Sequence, residues 1–263
     1  MKLIDFHTHI YPDAVAKKAT HSVEEFYDAV ASHVGTKEEL KACMEKAGVC
    51  ASIILPVAVK PSGVGHINDF SYNVCKEEKS FIPCGTVHAA MEGIEEETER
   101  ILKLGLHGIK LHPDTQLFNI DDKRMYPVYD MIQGKIPLIV HTGDPRYPYS
   151  HPERLRRVMN DFPSLLCVGA HFGGWSMAEE GIKYLSDKEN CFVDMSSSFD
   201  WTKRHIIEKA VSRFGEDRVL FGSDFPLGSP VTEKENLLSL DISDTAKEKI
   251  AYKNTERLLG ITL

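Results

Sequence analysis

Seven residues of this chain have side chains that bind metal ions or move protons, and they stand where apolar runs come to an end. "DFHTHI" carries His7 and His9, "GIKLHP" carries Lys110 and His112, and "PLIVHTGDP" carries His141. "LLCVGAHFGGW" carries His171, and "RVLFGSDFP" carries Asp224. Residues two apart on a strand share a face, so His7 and His9 project together, and so do Lys110 and His112. Three or more imidazoles and one carboxylate around a single pocket suit Zn²⁺ or a similar divalent ion. An H-x-H pair alone is a short motif that also arises at ordinary strand exits. Four further apolar runs, each ending in His, Lys or Asp, turn the pair into a constellation.

A constellation needs a fold that brings those run ends to one place. Short apolar runs at 2–7, 50–56, 81–87, 107–112, 137–141, 165–170, 191–195 and 218–222 read as buried strands. Between them lie segments of helical spacing, among them 93–104, 122–133, 152–161, 175–186, 203–214 and a last helix over about 243–259. Thr36-Lys37-Glu38-Glu39 opens another as a capping box, followed by Leu40, Cys43, Met44 and Ala47, with Gly48 as its stop. Eight strand–helix units in 263 residues predict an α/β fold, the (β/α)₈ TIM barrel, whose strand C-termini converge on one mouth. An open doubly wound sheet is the competing fold, but no Gly-rich fingerprint follows the first strand. The longest irregular stretches, 11–35 and 57–70, are expected to be mouth loops. No linker, repeat or low-complexity segment interrupts the chain, which predicts one domain over 1–263.

Composition narrows the function classes. Apolar residues make up 42% and charged residues 27%, as in ordinary soluble proteins. A net charge of −8 argues against nucleic acid or an anionic membrane as the main partner. Six cysteines without a C-x-x-C pair read as buried reduced thiols, which predicts a cytoplasmic protein. Neither a signal peptide nor a membrane-spanning run is expected. The expected partner is a small organic molecule, with homo-oligomers allowed.

Taken together, "DFHTHIYPD", "GIKLHP", "VHTGDP", "AHFGGW", "LFGSDFP" and the closing "NTERLLGI" resemble the amidohydrolase superfamily along the whole chain. The likeness is to the branch that holds aminocarboxymuconate-semialdehyde decarboxylase and related hydrolases. Carried over residue by residue, it implies that His7, His9, His141 and Asp224 bind the metal. It sets His171 beside them as a further ligand or as an acid/base. A bound ion of this kind lowers the pKa of its water from 15.7 to about 7. Asp224 could ligate with one oxygen and shuttle a proton with the other.

The resemblance also bears on Lys110. Binuclear amidohydrolases place there a lysine carbamylated by carbon dioxide, whose carboxylate bridges two metals. Lys110 could instead be neutral, or face a substrate carboxylate. The decarboxylase-like branch generally uses one metal, so one ion is expected, with Lys110 on the substrate; two are expected only if Lys110 is carbamylated. Zn²⁺ is the first expectation, with Mn²⁺ or Fe²⁺ also accepted by such ligands. His112, Arg146 and Trp175 are the substrate-binding candidates. Arg146 could clamp a carboxylate or stand as a solvated loop arginine, and Trp175 could wall the pocket or begin a packed helix. Ser196–Ser198 could line the mouth or cap a helix.

The expected activity is that of a metal-dependent hydrolase of a small carboxylated or cyclic substrate, with Asp224, His171 and Lys110 as catalytic residues. The alternative is a non-oxidative decarboxylase of an aromatic or unsaturated acid. A binding protein that had merely kept the fold would be expected to have lost part of the His and Asp set.

Overall fold

The computed structural model describes residues 1–263. Its strands are β1 (Ile4–Thr8), β2 (Ala51–Ile54), β3 (Phe81–Pro83), β4 (Gly85–Thr86), β5 (Ile109–Leu111), β6 (Leu138–Val140), β7 (Cys167–Gly169), β8 (Cys191–Asp194) and β9 (Val219–Leu220). Every pairing is parallel, in the orders β1-β2-β3 and β4-β5-β6-β7-β8-β9. β3 and β4 are two halves of one run. Cys84 N donates to Ile54 O on one side, and Gly85 N donates to Gly108 O on the other. At the opposite seam Phe6 N donates to Phe221 O and Asp224 N to His7 O. The Asp5 carboxylate reinforces that seam by accepting from Ser223 N (2.9 Å) and Ser223 Oγ (2.6 Å). The eight runs expected from the sequence thus follow one another around a (β/α)₈ barrel.

Two apolar clusters account for the alternation along the strands. Ile4, Phe6, Ala51, Ile53, Leu55, Ile139, Val168, Phe192 and Leu220 fill the barrel interior. Their strand neighbours Leu3, Ile54, Leu138, Val140, Cys167, Cys191, Val193 and Val219 pack in the larger layer beneath the helices. Lys110, His141 and Asp194 have inward parity, which carries their side chains up the barrel axis. β1 needs an irregularity to do the same. Its register against β2 slips by one residue between Asp5 and Thr8. That extra residue lets Phe6 and His7, adjacent in sequence, both serve the interior.

The helices are α1 (Asp13–Tyr27), α2 (Lys37–Ala47), α3 (Val64–Glu77), α4 (Ile94–Lys103), α5 (Pro113–Gln116), α6 (Tyr126–Ile132), α7 (Pro152–Asp161), α8 (Ala178–Leu185), α9 (Arg204–Phe214), α10 (Pro230–Ser239), α11 (Asp244–Glu248) and α12 (Asn254–Leu259). The cap expected for α2 is present: Thr36 Oγ1 accepts from Glu39 N, and Gly48 ends the helix at φ 73°. The expectation that 11–35 and 57–70 are irregular is corrected. The first holds the fifteen-residue α1, and α3 begins inside the second. α1 fully buries only Ala16 and Thr20, but Ala16, Ala19, Val23, Phe26 and Tyr27 recur at helical spacing along its inner side, a periodicity that the expectation of a loop passed over. α10 was also unforeseen, and the last helix runs over 244–259 through a π turn at Lys249–Lys253.

Candidate metal centre and aromatic pocket

The loops after β6 and β7 are packed backbone on backbone, which explains why their motifs carry so much glycine. A Cβ on Gly143 would lie 2.3 Å from Gly174 Cα, and Gly143 itself sits at φ +85°. Trp175 N donates to Thr142 O across this contact. His171, Phe172 and Gly173 then form a left-handed turn, at φ 58°, 53° and 74°. Two non-glycine residues in that region are held there by their surroundings. His141, His171 and Trp175 are placed by this close approach.

Three donor atoms converge at the barrel mouth: His7 Nε2, His9 Nε2 and Asp224 Oδ1. The two nitrogens are 3.2 Å apart, and each lies 3.4 Å from the oxygen. Their protonation follows from their partners. His9 Nδ1 donates to Leu55 O at 2.6 Å, and His7 Nδ1 donates to Asp194 Oδ2 at 3.0 Å. Burial, with Lys110 beside it, pulls the His7 imidazole down to a pKa of about 4, so it is neutral. Burial alone would raise the pKa of Asp224, but the imidazoles of His7, His9 and His171 hold the carboxyl far below the usual range. Two lone pairs and an anionic oxygen packed this closely repel one another unless a cation lies among them. Ligands of one tetrahedral ion, each at about 2.0–2.2 Å, stand about 3.3–3.6 Å apart. The set fits a divalent cation. Lys110 Nζ, fully buried, lies 3.1 Å from His7 Nε2, and burial pushes its pKa down to about 8.

The remaining imidazoles form a chain leading away from this set. His171 Nδ1 donates to Ser196 O at 2.8 Å, which leaves its Nε2 as acceptor for His141 Nδ1 at 3.1 Å. His141 Nε2 is then a bare lone pair, buried and without a partner. The same ring is stacked on His112 at 4.1 Å and 6°. His112 is the N-cap of α5, its Nδ1 accepting from Thr115 N, and its Nε2 lies 2.7 Å from the Tyr27 hydroxyl. Burial pulls both His112 and His141 well below the ordinary imidazole range. Asp114 lies beyond, its Oδ2 3.9 Å from His141 Nε2, and burial raises its carboxyl to about 7.

His7, His9, Asp224 and Lys110 are therefore brought together directly. His171 reaches them through Ser196 and through its ring, 5.1 Å from that of His7. His141 stands one imidazole further on. Trp175 is 5% exposed, 4.8 Å from the rings of Tyr27 and Trp201, and its Nε1 has no acceptor. Ser197 does line the mouth, donating to Asp224 Oδ2 at 2.7 Å. The free carboxylate clamp expected of Arg146 is corrected. Its Nε and Nη2 fork onto buried Asp144, and its Nη1 donates to Phe26 O. Asp194, Tyr27 and Asp114 were not foreseen. Asp194 left a signal, a carboxylate at the end of the apolar "CFVD"; Tyr27 left only its place at the end of the helical stripe Ala16, Ala19, Val23 and Phe26.

The amidohydrolase family model matches residues 4–261. The chain belongs to the amidohydrolase family. Across 99% of both chains it superposes on an uncharacterised TIM-barrel protein from Bordetella bronchiseptica, with 25% identity and a TM-score of 0.83. It also matches 5-carboxyvanillate decarboxylase from Sphingomonas paucimobilis, with 15% identity, a TM-score of 0.76 and 99% of each chain covered. A third match is a dihydroxybenzoic acid decarboxylase from Polaromonas sp. JS666 with bound manganese and 2-nitroresorcinol. There the identity is 16% and the TM-score 0.76, with 98% of this amidohydrolase and 97% of that chain covered. The last two likenesses concern the fold. Both proteins are nonetheless decarboxylases of aromatic acids, and on that finding the expectation of a hydrolase is corrected. No helix of this amidohydrolase is long and apolar enough to cross a membrane.

Proposed function

We propose that this amidohydrolase catalyses the metal-dependent, non-oxidative decarboxylation of a small aromatic acid, within one catalytic domain spanning 1–263. The observation that carries the reading is the convergence of His7, His9 and Asp224 beside a pocket walled by Tyr27, Trp175 and Trp201. Aromatic walls suit a flat ring, and the charged floor suits its carboxylate. His7, His9 and Asp224 would hold the ion; His141, the fourth ligand that the family resemblance implies, stands one imidazole away with its unpartnered Nε2 beside Asp114, and would have to turn its ring to join them. When bound, the ion supplies positive charge that orients and polarises the oxygens of the substrate. Mn²⁺, the ion in the Polaromonas decarboxylase, is to be tested beside the Zn²⁺ expected from the sequence.

Decarboxylation needs a proton at the ring carbon. A C–H bond forms there, the bond to the carboxylate breaks, its electron pair restores the aromatic ring, and carbon dioxide leaves. His171 is the proposed proton carrier at Nε2, supplied from His141 Nδ1. Asp224 takes up or releases a proton at the same centre, its Oδ2 held by Ser197. Lys110 meets the negative charge of the substrate, while His112 and Trp175 contact its ring and oxygens. Arg146 acts on substrate through the pocket wall it holds in place.

The test is a panel of aromatic acids that includes 2,6-dihydroxybenzoate and 5-carboxyvanillate, offered to Mn²⁺- and Zn²⁺-loaded protein. Carbon dioxide release with a ring product bearing one carboxylate fewer is expected. Metal-loaded protein that releases no carbon dioxide from any member overturns the reading.

A further inference from the structure

We infer that Tyr27 is a substrate-contacting donor, whose hydroxyl proton is kept free for an acceptor oxygen of the bound acid. The inference deepens the decarboxylase reading and rests on it for the identity of the substrate. It begins with a count of protons. Thr115 N–H points at His112 Nδ1, so the neutral His112 carries its proton on Nε2 and donates it to the Tyr27 oxygen at 2.7 Å. The other polar neighbour of that oxygen is His141 Nδ1 at 3.5 Å. That nitrogen already spends its proton on His171 Nε2, whose own proton goes to Ser196 O. Both imidazole nitrogens facing the Tyr27 hydroxyl are donors. Its oxygen accepts from His112, neither nitrogen offers a lone pair to its hydrogen, and that hydrogen has no protein group to receive it.

A second unspent donor lies beside it. Trp175 Nε1 is buried without an acceptor, and the two rings are 4.8 Å apart. Two unpaired N–H and O–H donors against aromatic walls describe a seat for an anionic or phenolic oxygen on a flat ring. α1 delivers the side chain, and Arg146 fastens the end of that helix by donating to Phe26 O at 2.7 Å while forked onto Asp144.

Tyr27→Phe keeps the ring and removes only the donor. On the substrate found with the panel, the variant is expected to raise KM about tenfold with kcat within about twofold, the pattern of a binding contact shared by ground and transition states. Metal content is expected to be unchanged. A KM within about twofold of the parent overturns the inference. Binding is read separately with benzoate as probe, through the fluorescence of Trp175 and Trp201, the protein's two tryptophans. About tenfold weaker quenching in Tyr27→Phe is expected. Equal quenching, or none in the parent protein, overturns the inference. Weakened benzoate binding with no carbon dioxide release from any acid would remove the decarboxylase reading and leave Tyr27 in place.

Discussion

His7 Nδ1 lies 3.0 Å from Asp194 Oδ2, and this contact decides which nitrogen of His7 faces the site. The carboxylate fixes the proton on Nδ1 and leaves Nε2 as a ligand. Asp194 is itself held by Ser196, whose hydroxyl donates to its other oxygen at 2.5 Å. Asp194→Asn can present its amide N–H to His7 and so turn the imidazole to the wrong tautomer. The expected result is a loss of about 10–100-fold in metal affinity, read by competition with a chromophoric chelator. Unchanged affinity would remove Asp194 from the orientation of the ligand.

Metal analysis of the loaded protein is expected to give about one divalent ion per chain, with Lys110 unmodified by intact mass. His7→Ala and His9→Ala should each strip most of it, because each removes one of three converging donors. Two ions per chain together with added mass on Lys110 would assign it the carbamylated role.

The parts of this site that were legible in the sequence are those written as strand exits. His7, His9, Lys110, His112, His141, His171 and Asp224 each close an apolar run, and a barrel turns run ends into neighbours. Arg146 and Tyr27 were not legible in the same way. Arg146 was visible as a cation near the mouth, but its partner Asp144 is two residues away in a loop whose turn no periodicity encodes. Tyr27 rides on a helix whose apolar stripe, Ala16, Ala19, Val23, Phe26 and Tyr27, is mostly half-buried, and the periodicity shows a helix without showing that the tyrosine at its end meets His112. The slip in β1 that turns His7 inward was equally hidden, since the pattern of apolar residues is the same with or without it.

Asp224→Asn is nearly isosteric, and asparagine tolerates the positive φ of 59° at this position. The fold should be kept, while kcat falls by about 10²-fold or more if the carboxylate moves a proton. Circular dichroism and metal content accompany the kinetics. Near-normal turnover would reduce Asp224 to a ligand.

Arg146→Ala should loosen the segment around Phe26 and Tyr27. It removes the Nη1 donor to Phe26 O and leaves Asp144, which is fully buried, without its bidentate partner. Hydrogen exchange over residues 24–31 is expected to rise by about tenfold or more, with a lower Tm. Unchanged exchange there would show that α1 is held by other contacts.

Glu233 contributes a separable part of the pH dependence of stability. It is 3% exposed on α10, with one long contact from Asn236 Nδ2 at 3.3 Å. Burial, with Asp200, Asp5 and Asp224 facing it, raises its carboxyl well above the ordinary 4.5. The folded state therefore holds this proton more tightly than the unfolded chain does. The stability contributed by protonated Glu233 is fully present below pH 4.5 and is lost as pH rises through the folded-state value. Glu233→Gln keeps the shape and cannot ionise. Thermal melts of parent and variant should nearly coincide at pH 4.5, and the variant should melt higher at pH 8.5. The difference should grow with pH between those limits and vanish when the series is returned to pH 4.5. A gap that is independent of pH would mean that Glu233 is neutralised by a partner, and that its burial carries no titratable cost.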